Sequence, residues 1–255
     1  FVYAWLSKIL HIDFVNYFLH KHGDKRNLDF AKASIEEFNI ELDLKGEENL
    51  PSSGRYIFAS NHPLGGFDGM LLITILAEKY KNLKVLVNDI LMNIENMNGI
   101  FVPINKHGKQ STEAVRKIEE IFKSDDQVLT FPSGLVSRKS KGVIKDPEWK
   151  KNFVQKAVIH QRDVVPIHVS GRCTNFFYRL ARVRKFLMIK ANLEMFFLPD
   201  ETYRHRNEKI TINIGKPISW KTINKSHTYS EWALKIQEYV YTLPEVNSSS
   251  FHPNN

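Results

Sequence analysis

Between residues 55 and 214, short β-rich runs alternate with segments of helical period. That alternation restricts the chain to an α/β layer fold. The runs are Tyr56–Ser60, Lys84–Val87, Phe101–Ile104, Val128–Phe131, Val164–Val169 and Ile210–Ile214. Each is apolar and rich in β-branched or aromatic residues. Helices are predicted between them at about 67–79, 111–123, 149–160 and 175–187. A last helix is expected at about 229–242, opened by a capping box of Thr228 and Glu231. The expected architecture is a largely parallel central sheet flanked by helices.

The first 44 residues read as helical. Val2, Trp5, Leu6, Ile9, Leu10, Phe14 and Phe18 fall close to helical spacing. A second helix is expected over residues 28–38, and "KGEENLPSSG" reads as a loop. The aromatic first helix has two readings: a helix packed on the domain, or one lying in a membrane interface. The chain thus divides into a helical segment at 1–50, an α/β domain at 51–245 and a polar tail at 246–255.

In folds of this class, sites gather at the carboxyl ends of the strands. Four polar stretches fall there: "NHPLGGFD", "NKHGKQ", "PSGLVSRKSKG" and "VSGR". In a parallel sheet all four share one edge. In the first, His62 ends a strand and Asp68 falls in the first turn of the next helix, with Gly65 and Gly66 between them. A carboxylate on an imidazole fixes its tautomer and supports it as a general base. The alternative is a turn in which Asp68 only caps the helix. No G-x-S-x-G elbow supplies a serine nucleophile. Arg138, Lys139 and Lys141 follow the Pro-Ser-Gly turn, either to hold an anionic group or as a solvated loop.

Residues 172–190 contain six basic residues and no acidic one. Phe176, Leu180, Val183 and Leu187 form an apolar stripe flanked by Arg179 and Arg182. Such a helix reads as a membrane-surface element or as an ordinary packed helix with solvated arginines. A net charge of +8 favours an anionic partner. Nucleic acid is not expected, because no recognition motif accompanies the charge. Cys173 is the single cysteine, which excludes an internal disulfide and reads as a small core residue. No apolar run is long enough to span a membrane. No metal-ligand cluster, Walker loop or G-x-G-x-x-G is present, so neither a metal nor a cofactor is expected.

Taken together, the loops resemble the glycerolipid acyltransferases typified by 1-acylglycerol-3-phosphate acyltransferase. That family has four ordered blocks. Here they look like "NHPLGGFD" (His62 and Asp68), "GIFVPINK" (residues 99–106), "FPSGLVSRK" (131–139) and "VVPIHVSG" (164–171). Two departures stand out. Five residues separate His62 from Asp68 where the family has four, and Ser133 replaces the usual glutamate. The glycine-rich first block is similar to a hemolysin-like bacterial branch common in Bacteroidetes, linked to phospholipids or acylated amino-acid lipids.

The resemblance implies transfer of an acyl group from acyl-CoA or acyl carrier protein to a lysolipid hydroxyl. His62 would act as base and Asp68 as its orienter, with no acyl-enzyme. Asn105, Lys106, Ser133, Gly134, Arg138 and Lys139 would bind substrate, with backbone N–H groups at Ser133 and Gly134 facing the oxyanion. An anionic membrane surface is the expected partner. The expected location is cytoplasmic, peripheral on the inner face of the membrane. The competing reading is a non-catalytic lipid-binding protein on the same fold.

Overall fold

The computed structural model describes residues 2–104, 112–245 and 250–252. Helices α1 (Val2–Ile9), α2 (Ile12–His22) and α3 (Asn27–Glu37) lead into strand β1 (Glu41–Lys45). Then come β2 (Tyr56–Ser60), α4 (Gly66–Lys79), β3 (Leu83–Asn88), β4 (Phe101–Ile104), α5 (Thr112–Lys123) and β5 (Gln127–Thr130). A hairpin of β6 (Arg138–Ser140) and β7 (Val143–Lys145) precedes α6 (Asn152–Ile159) and β8 (Asp163–Val169). The chain closes with α7 (Asn175–Phe186), α8 (Leu198–Arg204), β9 (Lys209–Ile214) and α9 (Tyr229–Thr242).

The six expected strands all form, and with β1 they make a seven-stranded sheet ordered β1, β9, β8, β2, β5, β3, β4 among the described residues. β8, β2, β5, β3 and β4 run parallel; β9 turns antiparallel to β8, and β1 pairs parallel with β9. Pro103 lies in β4, an edge strand, where a missing N–H is tolerated. The sheet separates two cores. Phe58, Leu71, Leu72, Leu76, Leu129 and Val165 pack on the α3–α4 side. Ile57, Ala59, Val128, Val164, Trp232 and Ile236 pack on the α6–α9 side. Adjacent residues of β2 therefore enter opposite cores, as the period of two requires. Each such Leu or Ile contributes about 1.5–3 kcal/mol by leaving water.

Three expectations change. The first helix is two, because His11 takes φ 48° and breaks the run between α1 and α2. The helical reading of residues 1–44 ends at Glu37, since Glu41–Lys45 extends the sheet beside β9. The basic "SRKSKGVIK" stretch is not an open loop but the β6–β7 hairpin. Its two-residue turn, Lys141-Gly142, has φ 47° and 85°, the left-handed pair that matches strand twist.

Candidate active site

The carboxyl ends of β2, β5 and β8 are neighbours, and the loops that leave them carry the site. Asn61, buried at the end of β2, fixes two of these ends together. Its side-chain amide donates to the Val169 carbonyl at 2.9 Å, and its oxygen accepts the Val169 N–H at 2.7 Å. His62 follows directly. The chain then turns at Gly65, whose φ of 72° favours glycine, and whose added Cβ would meet Leu198 at 3.0 Å. Gly66 has open space around it and begins α4. Of the two glycines, Gly65 makes the turn and Gly66 starts the helix.

The turn brings Asp68 back onto His62. Asp68 Oδ2 lies 2.8 Å from His62 Nδ1, and the Leu64 N–H donates to both carboxylate oxygens at 3.0 and 3.2 Å. Asp68 is fully buried, whereas the His62 side chain keeps 18% of its surface. Burial pushes the Asp68 carboxyl above its ordinary 3.8, opposed by the His62 and Leu64 hydrogen bonds. The imidazole stacks on Phe131 at 4.3 Å. With Nδ1 engaged by Asp68, Nε2 is the ring nitrogen left outside that contact.

A second buried carboxylate sets the backbone of this histidine. Asp146 Oδ1 accepts the His62 N–H at 3.1 Å and the Ser137 hydroxyl at 2.6 Å. Its Oδ2 accepts the Trp149 indole N–H at 3.1 Å. The Ser137 N–H in turn donates to the His62 carbonyl at 2.8 Å. His62 is therefore held from both sides of its peptide by the segment after β5 and by Asp146, the residue that follows β7. Asp146, Ser137, Trp149 and Asn61 were not among the expected site residues. Their signals were faint: Asn61 is a lone polar residue ending a strand, and Asp146 precedes Pro147 in an ordinary-looking turn.

The other expected residues are placed as follows. Ser133 is buried and closes its own turn, its hydroxyl donating to the Leu135 carbonyl at 2.7 Å. The Gly134 N–H donates to the Phe131 carbonyl at 2.9 Å, so in this conformation it is not presented to an oxyanion. Arg138 is not a free cation: it donates to Glu194 Oε1 at 2.8 Å, to the Val136 carbonyl at 2.6 Å, and lies over the Phe177 ring. Lys139 reaches Asn175 at 3.4 Å. Asn105 and Lys106 lie outside the described residues. Cys173 is buried beside Pro63, and burial pushes its thiol far up, which suits a core residue and not a nucleophile. Among the described residues no group of side chains could hold a metal ion.

A histidine–aspartate pair on a strand-to-helix turn, with no serine or thiol hydrogen-bonded to it among the described residues, fits one-step acyl transfer. The profile of the acyltransferase family matches residues 1–247. The chain belongs to that family. Two curated relatives, both named lyso-glycine lipid O-acyltransferase, align over 95% of the chain. The protein from Bacteroides thetaiotaomicron is 47% identical, with 90% of its own length covered. The protein from Phocaeicola vulgatus is 45% identical, with 88% covered. Among solved structures, the 1-acyl-sn-glycerophosphate acyltransferase PlsC of Thermotoga maritima shares the fold. Its TM-score is 0.53 and its identity 16%, over 97% of this chain and 98% of that one. This acyltransferase is an enzyme of the class that the four sequence blocks implied.

Proposed function

We propose that this acyltransferase moves a fatty acyl group from a thioester, acyl-CoA or acyl carrier protein, to the hydroxyl of a lyso-glycine lipid. The 2.8 Å contact between His62 Nδ1 and the buried Asp68 carries the mechanism. His62 Nε2 removes the acceptor's hydroxyl proton as its oxygen attacks the thioester carbonyl. The new C–O bond forms, the C–S bond breaks, and the leaving thiolate takes the proton back from His62. Asp68 holds the tautomer and stabilises the imidazolium that forms midway. No protein acyl intermediate is involved.

The names of both curated relatives support the acceptor. Lys139, with Asn105 and Lys106, would attract the anionic donor. The lipid acceptor would enter from an anionic membrane, with the enzyme peripheral on its cytoplasmic face. The exposed Trp5, Leu6, Val15, Tyr17 and Leu19 on α1 and α2 support that contact. No described helix is long and apolar enough to cross a membrane.

The test is turnover of a lyso-glycine lipid by the purified protein, read as release of CoA thiol, beside lysophosphatidate and a no-acceptor control. Acceptor-dependent thiol release that is faster with the lyso-glycine lipid is expected. Membrane binding without thioester consumption would instead identify a non-catalytic lipid-binding protein.

A further inference from the structure

Beyond the N-terminal helices, the far end of α7 presents an apolar tip for which the fold has no use. Phe186 is 83% exposed and Met188 87% exposed, with Leu187, Ile189 and Phe196 also open to solvent. Phe186 to Ile189 are consecutive in the chain. Single exposed hydrophobics are ordinary, but a contiguous group of this size marks a contact surface.

The backbone adds a second, independent observation. α7 ends in a Schellman turn: the Ile189 N–H reaches the Arg184 carbonyl at 3.0 Å and the Met188 N–H reaches the Lys185 carbonyl at 3.1 Å. The residue between them, Met188, has φ 55°, a position that glycine ordinarily fills. A large apolar side chain is thus held in water, on a backbone conformation that disfavours it, with no internal contact in return.

The surroundings choose the occupant. Arg179, Arg182, Lys185 and Lys190 are exposed around the tip, and residues 172–192 contain no acidic side chain. An apolar centre with a cationic rim fits the interface of a bilayer that contains anionic lipid. Charge attraction to an acidic partner would use the rim but would not account for the exposed Phe186 and Met188. At the other end of α7, Phe176 and Phe197 touch edge to face at 4.9 Å. Phe197 in turn meets Trp5 of α1 at 6.3 Å.

The tip is also tied to the catalytic loop. Arg184 donates through Nε to Glu194 Oε2 at 2.8 Å and through Nη1 to the Ile189 carbonyl at 2.8 Å. Glu194, wholly buried, holds Arg138 through its other oxygen at 2.8 Å. Arg138 directly follows Ser137, whose N–H fixes His62. We infer that residues 186–189 and Phe196 form a wedge that inserts into an anionic bilayer, and that the Arg184–Glu194–Arg138 bridge holds this wedge in register with the loop beside His62.

The test is co-sedimentation of the full chain with vesicles of phosphatidylcholine, alone or with phosphatidylglycerol. Wild type is expected to bind the anionic vesicles more tightly. Met188→Gly should keep or raise Tm, because glycine suits the turn, yet weaken vesicle binding. Adding Phe186→Ser should weaken binding by about tenfold or more. Both variants should keep full turnover of acceptor dispersed in detergent micelles and lose it on vesicles. Replacing Arg179, Arg182 and Lys185 with Gln should remove the preference for phosphatidylglycerol. The proposal is overturned if wild type binds neither vesicle, or if the double variant binds as wild type does. It is equally overturned if the double variant loses only a self-association seen by light scattering, or only acyl carrier protein binding, with vesicle binding intact.

Discussion

Asp68 and Glu194 are both fully buried carboxylates, and the fold holds them in opposite ways. Glu194 sits between two guanidiniums, with Arg138 on Oε1 and Arg184 reaching both oxygens. Its charge is compensated at rest. Asp68 faces a single imidazole and one backbone N–H, and burial raises its pKa. Among the described residues no guanidinium or ammonium is paired with it. A carboxylate that is permanently paired serves as a strut. One that is left short of positive charge favours the state in which its neighbour has taken a proton.

The largest expected effect is on rate. His62→Ala should lower turnover by about 10²–10⁴-fold, measured as thiol release. A variant with wild-type turnover would remove the catalytic half of the comparison. Asp68→Asn should lower turnover by a similar order, about 10⁴-fold, since the amide cannot stabilise the imidazolium.

The same Asp68→Asn variant should keep or gain thermal stability. The sign follows from linkage. Because the folded Asp68 binds its proton more tightly than the ordinary 3.8, the native state holds more protons than the unfolded one above that pH. Wild-type stability is therefore lost as pH rises from about 3.8 through the folded value. The asparagine variant has no such loss, so its Tm advantage should grow over that interval and then level off. A Tm advantage that shrinks with rising pH would show Asp68 to be compensated at rest, as Glu194 is.

Glu194→Gln should do the reverse. It is expected to lower stability by about 3 kcal/mol, by leaving the Arg138 and Arg184 guanidiniums without their charge partner, as read from denaturant melts. The smallest pair of effects sharpens the turn between His62 and Asp68. Gly65→Ala should cost about 1–3 kcal/mol from its left-handed backbone and reduce turnover. Gly66→Ala, with open space and helical geometry, should stabilise by up to about 1 kcal/mol and leave turnover unchanged.

Much of this was legible along the chain. Strand and helix periods are local properties of the backbone, and α4, α7 and α9 begin within about two residues of their expected positions. The His62–Asp68 pair was legible too, because six residues of turn and helix bring it together whatever the rest of the chain does. β1 was missed because its five residues, "ELDLK", are short and half polar, and only pairing with β9 makes them a strand. The hairpin was missed because Lys141-Gly142 hid inside a basic run.

Asp146 and Glu194 belong to a different kind of information. Asp146 lies 84 residues from the histidine whose N–H it accepts, and Glu194 lies 56 residues from Arg138. Periodicity specifies which face of an element is buried, not which distant element will supply the partner for a buried charge. The sequence by itself determined most of the elements, their order, the loops at one edge of the sheet and the His62–Asp68 pair. Only the tertiary structure decided that Arg138 is bound to Glu194, that Asp146 fixes the His62 peptide, and that the apolar residues beyond α7 face water. Those outcomes depend on packing between segments remote in the chain, where desolvation and charge pairing act and local backbone preference does not.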